Sequence, residues 1–450
     1  MGYHDDQFHK SIALLNQNKP FEACQILEPL LRETQSRDIG RVLGIAQFKS
    51  GMFEQALQTI DALIFSDPTD IHCHQTKWQF FKDLGLSTVF ADSTKQSHFV
   101  KFLLTLHEVT LAQSENSELS FLLTTIYADL QNTDMMIAAA KRHLVQEGIS
   151  PDLFTHLEQA DFAYWHQFNQ MRRTSALDYP SHVAFETYAK CNAKCNFCVY
   201  PDMARQGSIM SMDLIKKIIH DLTQIPQSHR FQLSPFAVNE PFLDKRIFEI
   251  LDLIKADLPN ADVTITSNAS PLTETNLRRL AQYDLAYLWL SVIDYRRDVY
   301  EDKMKLDYDR MITRLDMIHK AKQEGWLKTK VVMSRLEDNT EHDEAYLKFF
   351  HDRYPLFSFY LWPYANWLGR TDNETIKAIK PIPCQNWFEF RIDVNGIVQH
   401  CCMDGHSEYP WGDVNKNSIL EIYNHPKYRQ LRMGSKTRFD VDPCNRCNLI

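Results

Sequence analysis

Nowhere in its 450 residues does this chain hold an apolar run approaching the ~20 residues that a membrane span requires. Its opening segment, MGYHDDQFHK, is charged and rich in histidine. That excludes a signal peptide and predicts a cytoplasmic protein without membrane attachment. A dense lysine and arginine stripe is also missing, and the formal net charge is −9. Nucleic-acid binding through phosphate contacts is therefore excluded. What remains, 44% apolar and 24% charged residues, is an ordinary globular composition. The chain is long enough for two to four domains with cores of their own. Of its ten cysteines, Cys24 and Cys73 stand alone and the others fall into two clusters. In a reducing compartment such clustering favours metal ligation over disulfides.

The densest cysteine stretch is CNAKCNFC, which sets Cys191, Cys195 and Cys198 in a C-x3-C-x2-C array directly after an apolar strand-like run. Three closely spaced thiolates can hold three irons of a [4Fe–4S] cube, because thiolates are the soft ligands such clusters use. The fourth iron is then left open to a small molecule. Structural zinc usually pairs two C-x2-C knuckles, which this spacing fits poorly. With the aromatic Phe197 before its third cysteine, the array resembles the radical S-adenosylmethionine (radical SAM) superfamily. The resemblance implies that SAM binds the open iron through its methionine amino and carboxylate groups. One electron from the cluster then splits the sulfonium, giving a 5′-deoxyadenosyl radical that abstracts a substrate hydrogen. It also implies that Phe197 packs near the adenine.

Between about 183 and 362, strand-like runs (183–188, 231–236, 262–267, 286–292, 329–334 and 357–362) alternate with amphipathic helices (212–223, 245–257, 272–282, 305–324 and 341–352). This alternation predicts parallel pairing, in a barrel or a doubly wound sheet with its site at the strands' carboxyl ends. The radical SAM resemblance implies an α/β partial (β/α)6 barrel over residues 180–370, with the cysteine loop after strand one. In that family Gly-Gly-Glu-Pro follows strand two. Here the segment is Val238-Asn239-Glu240-Pro241, so Glu240 is expected to hold the SAM ammonium by charge-assisted hydrogen bonds. Both glycines are gone, although Asn can adopt the unusual backbone angles that glycine supplies. Thr266-Ser267-Asn268 resembles the family's Thr-Asn-Gly and places Asn268 near SAM. Ser291 matches a serine that contacts the SAM ribose or carboxylate. Arg335 is a candidate for a SAM or substrate carboxylate. Asp294, Tyr295, Trp362, Tyr364, Asn366 and Trp367 are candidates for a substrate pocket or for the core. No catalytic acid or base stands out beyond these.

The tail carries Cys384, Cys401, Cys402, Cys444 and Cys447. A strand pair turning at Asn395-Gly396, the preferred two-residue hairpin dipeptide, would bring Cys401 back towards Cys384. A helix is expected near 419–433. The arrangement resembles the SPASM and shorter "twitch" extensions of radical SAM enzymes, in which a cysteine, a Gly-x4-Cys hairpin and a later Cys-x2-Cys bind auxiliary iron–sulfur clusters. Five cysteines are too few for two clusters, so the resemblance implies one auxiliary [4Fe–4S] cluster over residues 378–450. Adjacent strand residues face opposite ways, so one of Cys401 and Cys402 is expected to ligate, and the Gly396 register favours Cys401. A four-cysteine zinc site suits the C-x2-C knuckle equally. His400 and Asp404 are expected as supporting or surface groups.

The first 165 residues read as short amphipathic helices. PFEACQILEPLL and MFEQALQTIDALI repeat about 32 residues apart. Leu43, Gly44, Ala56, Ile60 and Pro68 resemble the tetratricopeptide pattern, which implies a solenoid-like α-helical domain. Its groove would recruit a protein or peptide, or else serve as a cap or dimer surface. Further helices are expected at 75–84, 98–113, 117–131 and 133–147. His72-Cys73-His74 lies on diverging helix directions and predicts no metal site.

The resemblance implies a radical SAM enzyme that draws electrons from a donor such as flavodoxin or ferredoxin. Relatives with such tails include peptide maturases, sulfatase maturases and alcohol-oxidising dehydrogenases. Three functions stay open: modification of a peptide or protein, oxidation of a small metabolite of the sugar-alcohol type, and a non-catalytic zinc-binding adaptor.

Overall fold

A computed structural model describes residues 3–113, 116–151, 154, 157–371, 380–434 and 436–449. The chain divides into two compact units, residues 1–162 and 163–450.

The first unit is helical: α1 (Tyr3–Asn16), α2 (Pro20–Thr34), α3 (Arg37–Lys49), α4 (Phe53–Ser66), α5 (Ile71–Leu84), α6 (Leu86–Ala91), α7 (Ser93–Ala112), α8 (Ser117–Asp129) and α9 (Thr133–Gln146). Successive helices pack as hairpins, α1 on α2, α3 on α4 and α8 on α9. The two repeated segments form α2 and α4. A Cβ on Gly44 would lie 2.8 Å from Ile60 Cδ1, so a residue without a side chain lets α3 and α4 approach closely. Pro68 follows two residues after the end of α4, where a proline cannot continue a helix. The short α6 was not expected.

Helix α10 (Gln159–Arg172) runs across the boundary, and the second unit continues with β1 (His182–Phe185), α11 (Met212–Leu222), β2 (Phe231–Ser234), α12 (Ile247–Asp257), β3 (Ala261–Ser267), α13 (Glu274–Leu280) and β4 (Tyr287–Ser291). Then come α14 (Arg297–Met304), α15 (Tyr308–Gln323), β5 (Lys330–Leu336), α16 (Glu341–Arg353) and β6 (Ser358–Trp362). The tail adds β7 (Glu389–Ile392), β8 (Ile397–Gln399), β9 (Gly412–Asp413), α17 (Ile419–Tyr423) and α18 (Pro426–Arg432). All six expected strands form. Helix α11 shows why the helices do: Ile215, Ile218, Ile219 and Leu222 recur at helical spacing and are buried, and Ser211 caps the start by accepting from the Leu214 amide.

The strands form one sheet in the order β6-β5-β4-β3-β2-β1-β7-β8-β9. Pairing is parallel from β6 through β1. The sheet does not close, as a partial barrel requires. A feature the sequence did not announce is that β7 of the tail also pairs parallel with β1, His182 opposite Glu389 and Ala184 opposite Arg391. Val183, Phe185 and Leu233 of the barrel share one core with Phe390, Ile392, Ile419 and Tyr423 of the tail.

Three local expectations change. The expected helix over 305–324 begins at 308, because Lys305 takes a left-handed conformation that ends the unexpected α14. The helix expected over 419–433 is two, since Pro426 lacks an amide hydrogen and starts α18 instead of continuing α17. The hairpin at Asn395-Gly396 has three loop residues, with the Gly396 amide donating to Asp393 O and Gly396 at φ 87°. That is a type I turn closed by a left-handed glycine. The expected start of the tail domain, residue 378, lies outside the described residues.

Candidate functional site

The loop after β1 is pinned on several sides. The Glu240 amide donates to Lys190 O at 2.9 Å, and the Lys194 and Asn196 amides donate to Met304 O and Lys303 O at the end of α14. These bonds hold Cys191, Cys195 and Cys198 together. Burial pushes the Cys191 thiol up to about 12 and raises Cys195 and Cys198; Cys198 raises the other two further, and Cys191 adds to Cys195. Buried thiols of this kind ionise only when a cation is supplied. Two of them already receive N–H groups: the Ala193 amide points at Cys191 Sγ and the Tyr200 amide at Cys198 Sγ, each at 3.4 Å. Hydrogen bonds to sulfur favour the thiolate form that iron needs. The donor set fits a cluster.

Cys191 and Cys198 face a cavity of about 280 Å³, with Ser291, Asn239, Trp367 and, from the tail, Cys402 on its walls. Asn239 Oδ1 accepts from the Ala237 amide at 2.9 Å, which leaves Nδ2 buried without a partner. An orphaned donor beside two cysteines fits a ligand with an anionic oxygen there. Neither Val238 nor Asn239 adopts a positive φ, so this loop makes no use of glycine's freedom; Ala269, after Asn268, does so at φ 64°.

The expected SAM residues fare differently. Ser291 lines the cavity, and Phe197 lines the chamber beside it. Asn268 lies against the cysteine loop, Nδ2 donating to Asn192 Oδ1 at 3.0 Å and standing 3.9 Å from Cys191 Sγ. Glu240 is turned into the protein. Its carboxylate accepts from Ser267 Oγ at 2.9 Å, the Asn268 amide at 2.8 Å and the Phe242 amide at 3.2 Å. It is buried and absent from the cavity wall, so it ties the cysteine loop to the end of β3. Arg335 is engaged within the protein: Asp294, Asp338 and Asp343 take its guanidinium at 2.7, 2.6 and 2.7 Å, so three carboxylates already balance its charge. Of the six candidates for the pocket, Trp362 lines the chamber and Trp367 the cavity; Asp294, Tyr295, Tyr364 and Asn366 bond to protein groups.

In the tail, Cys384, Cys401, Cys444 and Cys447 are all buried. Burial raises Cys384, Cys444 (to about 11) and Cys447, and Cys444 and Cys447 act on both Cys384 and Cys401. The Met403 amide points at Cys401 Sγ at 3.4 Å. The rule that neighbours on a strand face opposite ways does not apply here, because β8 ends at Gln399 and both cysteines lie in the following turn. The two thiols act on each other, which holds Cys401 up and Cys402 down. Cys401 packs with Cys447 and Leu368, whereas Cys402 accepts from Asn386 Nδ2 at 3.2 Å and faces the cavity. His400 is buried, with Nε2 3.1 Å from Cys444 Sγ, and burial pushes its pKa down to about 4. Asp404 accepts amide hydrogens from His400, Glu408 and Tyr409. Among the described residues no three His, Cys, Asp or Glu side chains converge on a single-ion position. A four-iron cube binds its thiolates at separate irons, so its ligands need not converge.

The inward faces of β1 to β7 enclose a chamber of about 700 Å³ that shares Phe236, Thr266, Ser291 and Arg391 with the cavity. Three of its charged or titratable groups stand together, while Lys330 lies over the Tyr287 ring. Arg391 holds Glu389 at 2.9 Å, and His182 Nδ1 stands 3.7 Å from the same carboxylate. Burial opposes ionisation of Glu389, but Arg391 and then His182 outweigh it and hold the carboxyl at about 2. His182 Nε2 bonds Ser234 Oγ, which bonds Thr264 Oγ1, both at 2.8 Å. Sequence reasoning missed this group. Its signal was the Glu-x-Arg spacing of 389 and 391, which puts both on one face of a strand.

Residues 185–350 match the radical SAM superfamily, and residues 384–448 match SPASM, an iron–sulfur cluster-binding domain. The chain carries a radical SAM domain and a SPASM domain, and it is an enzyme. Its cofactors are a [4Fe–4S] cluster with SAM and an auxiliary iron–sulfur cluster on the SPASM domain. No curated protein sequence matches it. Similar solved structures include BtrN in complex with AdoMet and 2-DOIA, 18% identical over 60% of this chain and 92% of that one, with a TM-score of 0.42. Streptococcus suis SuiB bound to precursor peptide SuiA is 14% identical over 65% and 75%, with a TM-score of 0.46. The protein anSMEcpe with AdoMet and Cp18Cys peptide is 14% identical over 56% and 81%, with a TM-score of 0.43. No helix among the described residues is long and apolar enough to cross a membrane.

Proposed function

We propose that this enzyme oxidises a substrate held in the barrel chamber, and that the substrate is a segment of a peptide or protein. The observation that carries the oxidation is the shared cavity: Cys191 and Cys198 form one wall, and Cys402, Gln399 and Met403 of the tail form another. Bound at the two cysteine sets, SAM on a reduced cluster supplies a hydrogen-abstracting radical, and a second cluster supplies an acceptor for the electron left on the substrate. The chain's own residues do the rest. Cys191, Cys195 and Cys198 hold the SAM cluster; Cys384, Cys401, Cys444 and Cys447 hold the auxiliary one. Asn239 Nδ2 would donate to the SAM carboxylate, Phe197 and Ser291 would face its adenosine, and Asn268 steadies the loop around Cys191.

The peptide reading rests on the helical hairpins of residues 1–162, which suit recruitment of an extended partner. Deleting them leaves SAM cleavage intact and raises KM for the substrate; unchanged processing by the truncated enzyme overturns recruitment. A second reading, a neutral polyhydroxylated metabolite, is favoured by the chamber's Ser234, Thr264, Thr266 and Ser334 beside Trp289 and Trp362. The deciding experiment follows 5′-deoxyadenosine release with dithionite or flavodoxin as reductant, on wild type and on a Cys191/Cys195/Cys198→Ala variant. Wild type forms it and the variant does not. Absence of 5′-deoxyadenosine from an iron-loaded wild type overturns the whole proposal.

A further inference from the structure

Of the four tail cysteines proposed as ligands, Cys401 receives the Met403 amide two residues further on at 3.4 Å, and the amides of Asn386 and Leu449 act on Cys384 and Cys447 without full hydrogen-bond geometry. No such amide acts on Cys444. In the turn carrying Cys444, the amide in that position, Arg446 N, donates instead to Pro443 O at 3.2 Å. The sulfur left without it is met by His400 Nε2 at 3.1 Å. The Trp387 indole N–H acts on the same sulfur but lacks hydrogen-bond geometry.

His400 is held for this contact. The residue is 3% exposed, and its ring stacks on Trp411 at 5.2 Å and 26°. Trp411 stacks in turn on Tyr428 at 4.4 Å and 2°. The His400 amide donates to Asp404 Oδ2 at 3.1 Å, and the Trp411 indole N–H reaches His400 O. A ring fixed on its face and at its backbone keeps Nε2 aimed at one atom. A metal-bound thiolate has no hydrogen to give, so the hydrogen between them belongs to Nε2.

We propose that His400 donates this hydrogen bond to the Cys444 thiolate and thereby raises the potential of the auxiliary cluster, making it the better electron acceptor. The physical reason is charge: an N–H aimed at a ligating sulfur stabilises the more negative, reduced cluster over the oxidised one. The inference rests on the reading of the tail as an iron–sulfur site and says what its potential is set by.

The test uses the full chain with Cys191/Cys195/Cys198→Ala, so that only the tail cluster is present, reconstituted without oxygen and titrated by electron paramagnetic resonance. In that background His400→Leu keeps about four irons per chain and titrates at a lower potential. His400→Gln, which retains an N–H donor, recovers part of the shift. A His400→Leu protein titrating at the parent's potential overturns the proposal. So does equal loss of iron in the Leu and Gln variants, which makes His400 a packing residue. Metal analysis of the parent separates the underlying reading: zinc in place of iron overturns the iron–sulfur tail itself, and the inference with it.

Discussion

Arg205 Nε lies 2.6 Å from Glu186 Oε2, and this ion pair joins the end of β1, the loop after the cysteines and the tail. Arg205 NH1 also donates to Gly405 O, and the Val394 amide donates to Glu186 Oε2 at 3.3 Å. The side chains are 8% and 0% exposed. Removing one partner strands a buried charge. Arg205→Leu is therefore expected to destabilise the chain by about 3 kcal/mol in denaturant unfolding, and Glu186→Leu/Arg205→Leu to cost less than Arg205→Leu alone. A single replacement that leaves the midpoint unmoved would show that the pair is not what couples tail to barrel.

Cys401 and Cys402 differ in neighbours, so their substitutions should differ in iron. Cys401→Ala is expected to lower reconstituted iron from about eight to about four per chain. Cys402→Ala should leave it near eight. The reverse pattern assigns the ligand to Cys402.

Gly396 closes the hairpin that leads to Cys401 at φ 87°, and a Cβ there would lie 2.4 Å from Asn415 Nδ2. Gly396→Ala should cost about 1–2 kcal/mol for the left-handed conformation alone, more with the contact. Thermal unfolding and the iron content of the tail both read it; an unshifted Tm refutes the assignment.

Glu240 carries a pH signature in the cofactor-free protein. Burial raises its pKa from 4.5 to about 7. The folded state thus holds a proton that the unfolded chain has released. The stability this contributes, on the order of 3 kcal/mol, is fully present below pH 4.5 and is lost as pH rises through 7. Unfolding midpoints between pH 5 and 8 should fall for wild type and stay flatter for Glu240→Gln. Parallel profiles would remove Glu240 as the source.

Asn239→Leu keeps the side chain's size and removes the orphaned donor. SAM is expected to bind about tenfold more weakly, roughly 1.4 kcal/mol, as measured by equilibrium dialysis with the cluster loaded. Unaltered affinity would leave Nδ2 without a ligand.

Local pattern carried a great deal. The C-x3-C-x2-C array, the period of each strand and the helical spacing of residues such as Ile215, Ile218 and Ile219 are properties of neighbours along the chain. They determined the strands, most helices and both cysteine sets, because period and thiolate spacing are written in consecutive residues. Turn chemistry was legible to within a residue, and Pro426 or Lys305 moved helix ends where backbone sterics outweighed periodicity. What only the tertiary structure decided depends on residues far apart in sequence. No pattern near residue 389 says that β7 will lie beside β1, yet that pairing builds the Glu389–Arg391–His182 group. Glu240 and Arg335 looked available to a ligand, and only their partners across the fold, Ser267 and Asn268 for one and three aspartates for the other, consume them. The two sulfurs of Cys401 and Cys402 are alike in sequence; an amide from Met403 for one and a place on the cavity wall for the other set them apart. A side chain's type fixes what it can bond, and only packing fixes which of those bonds remain for a ligand.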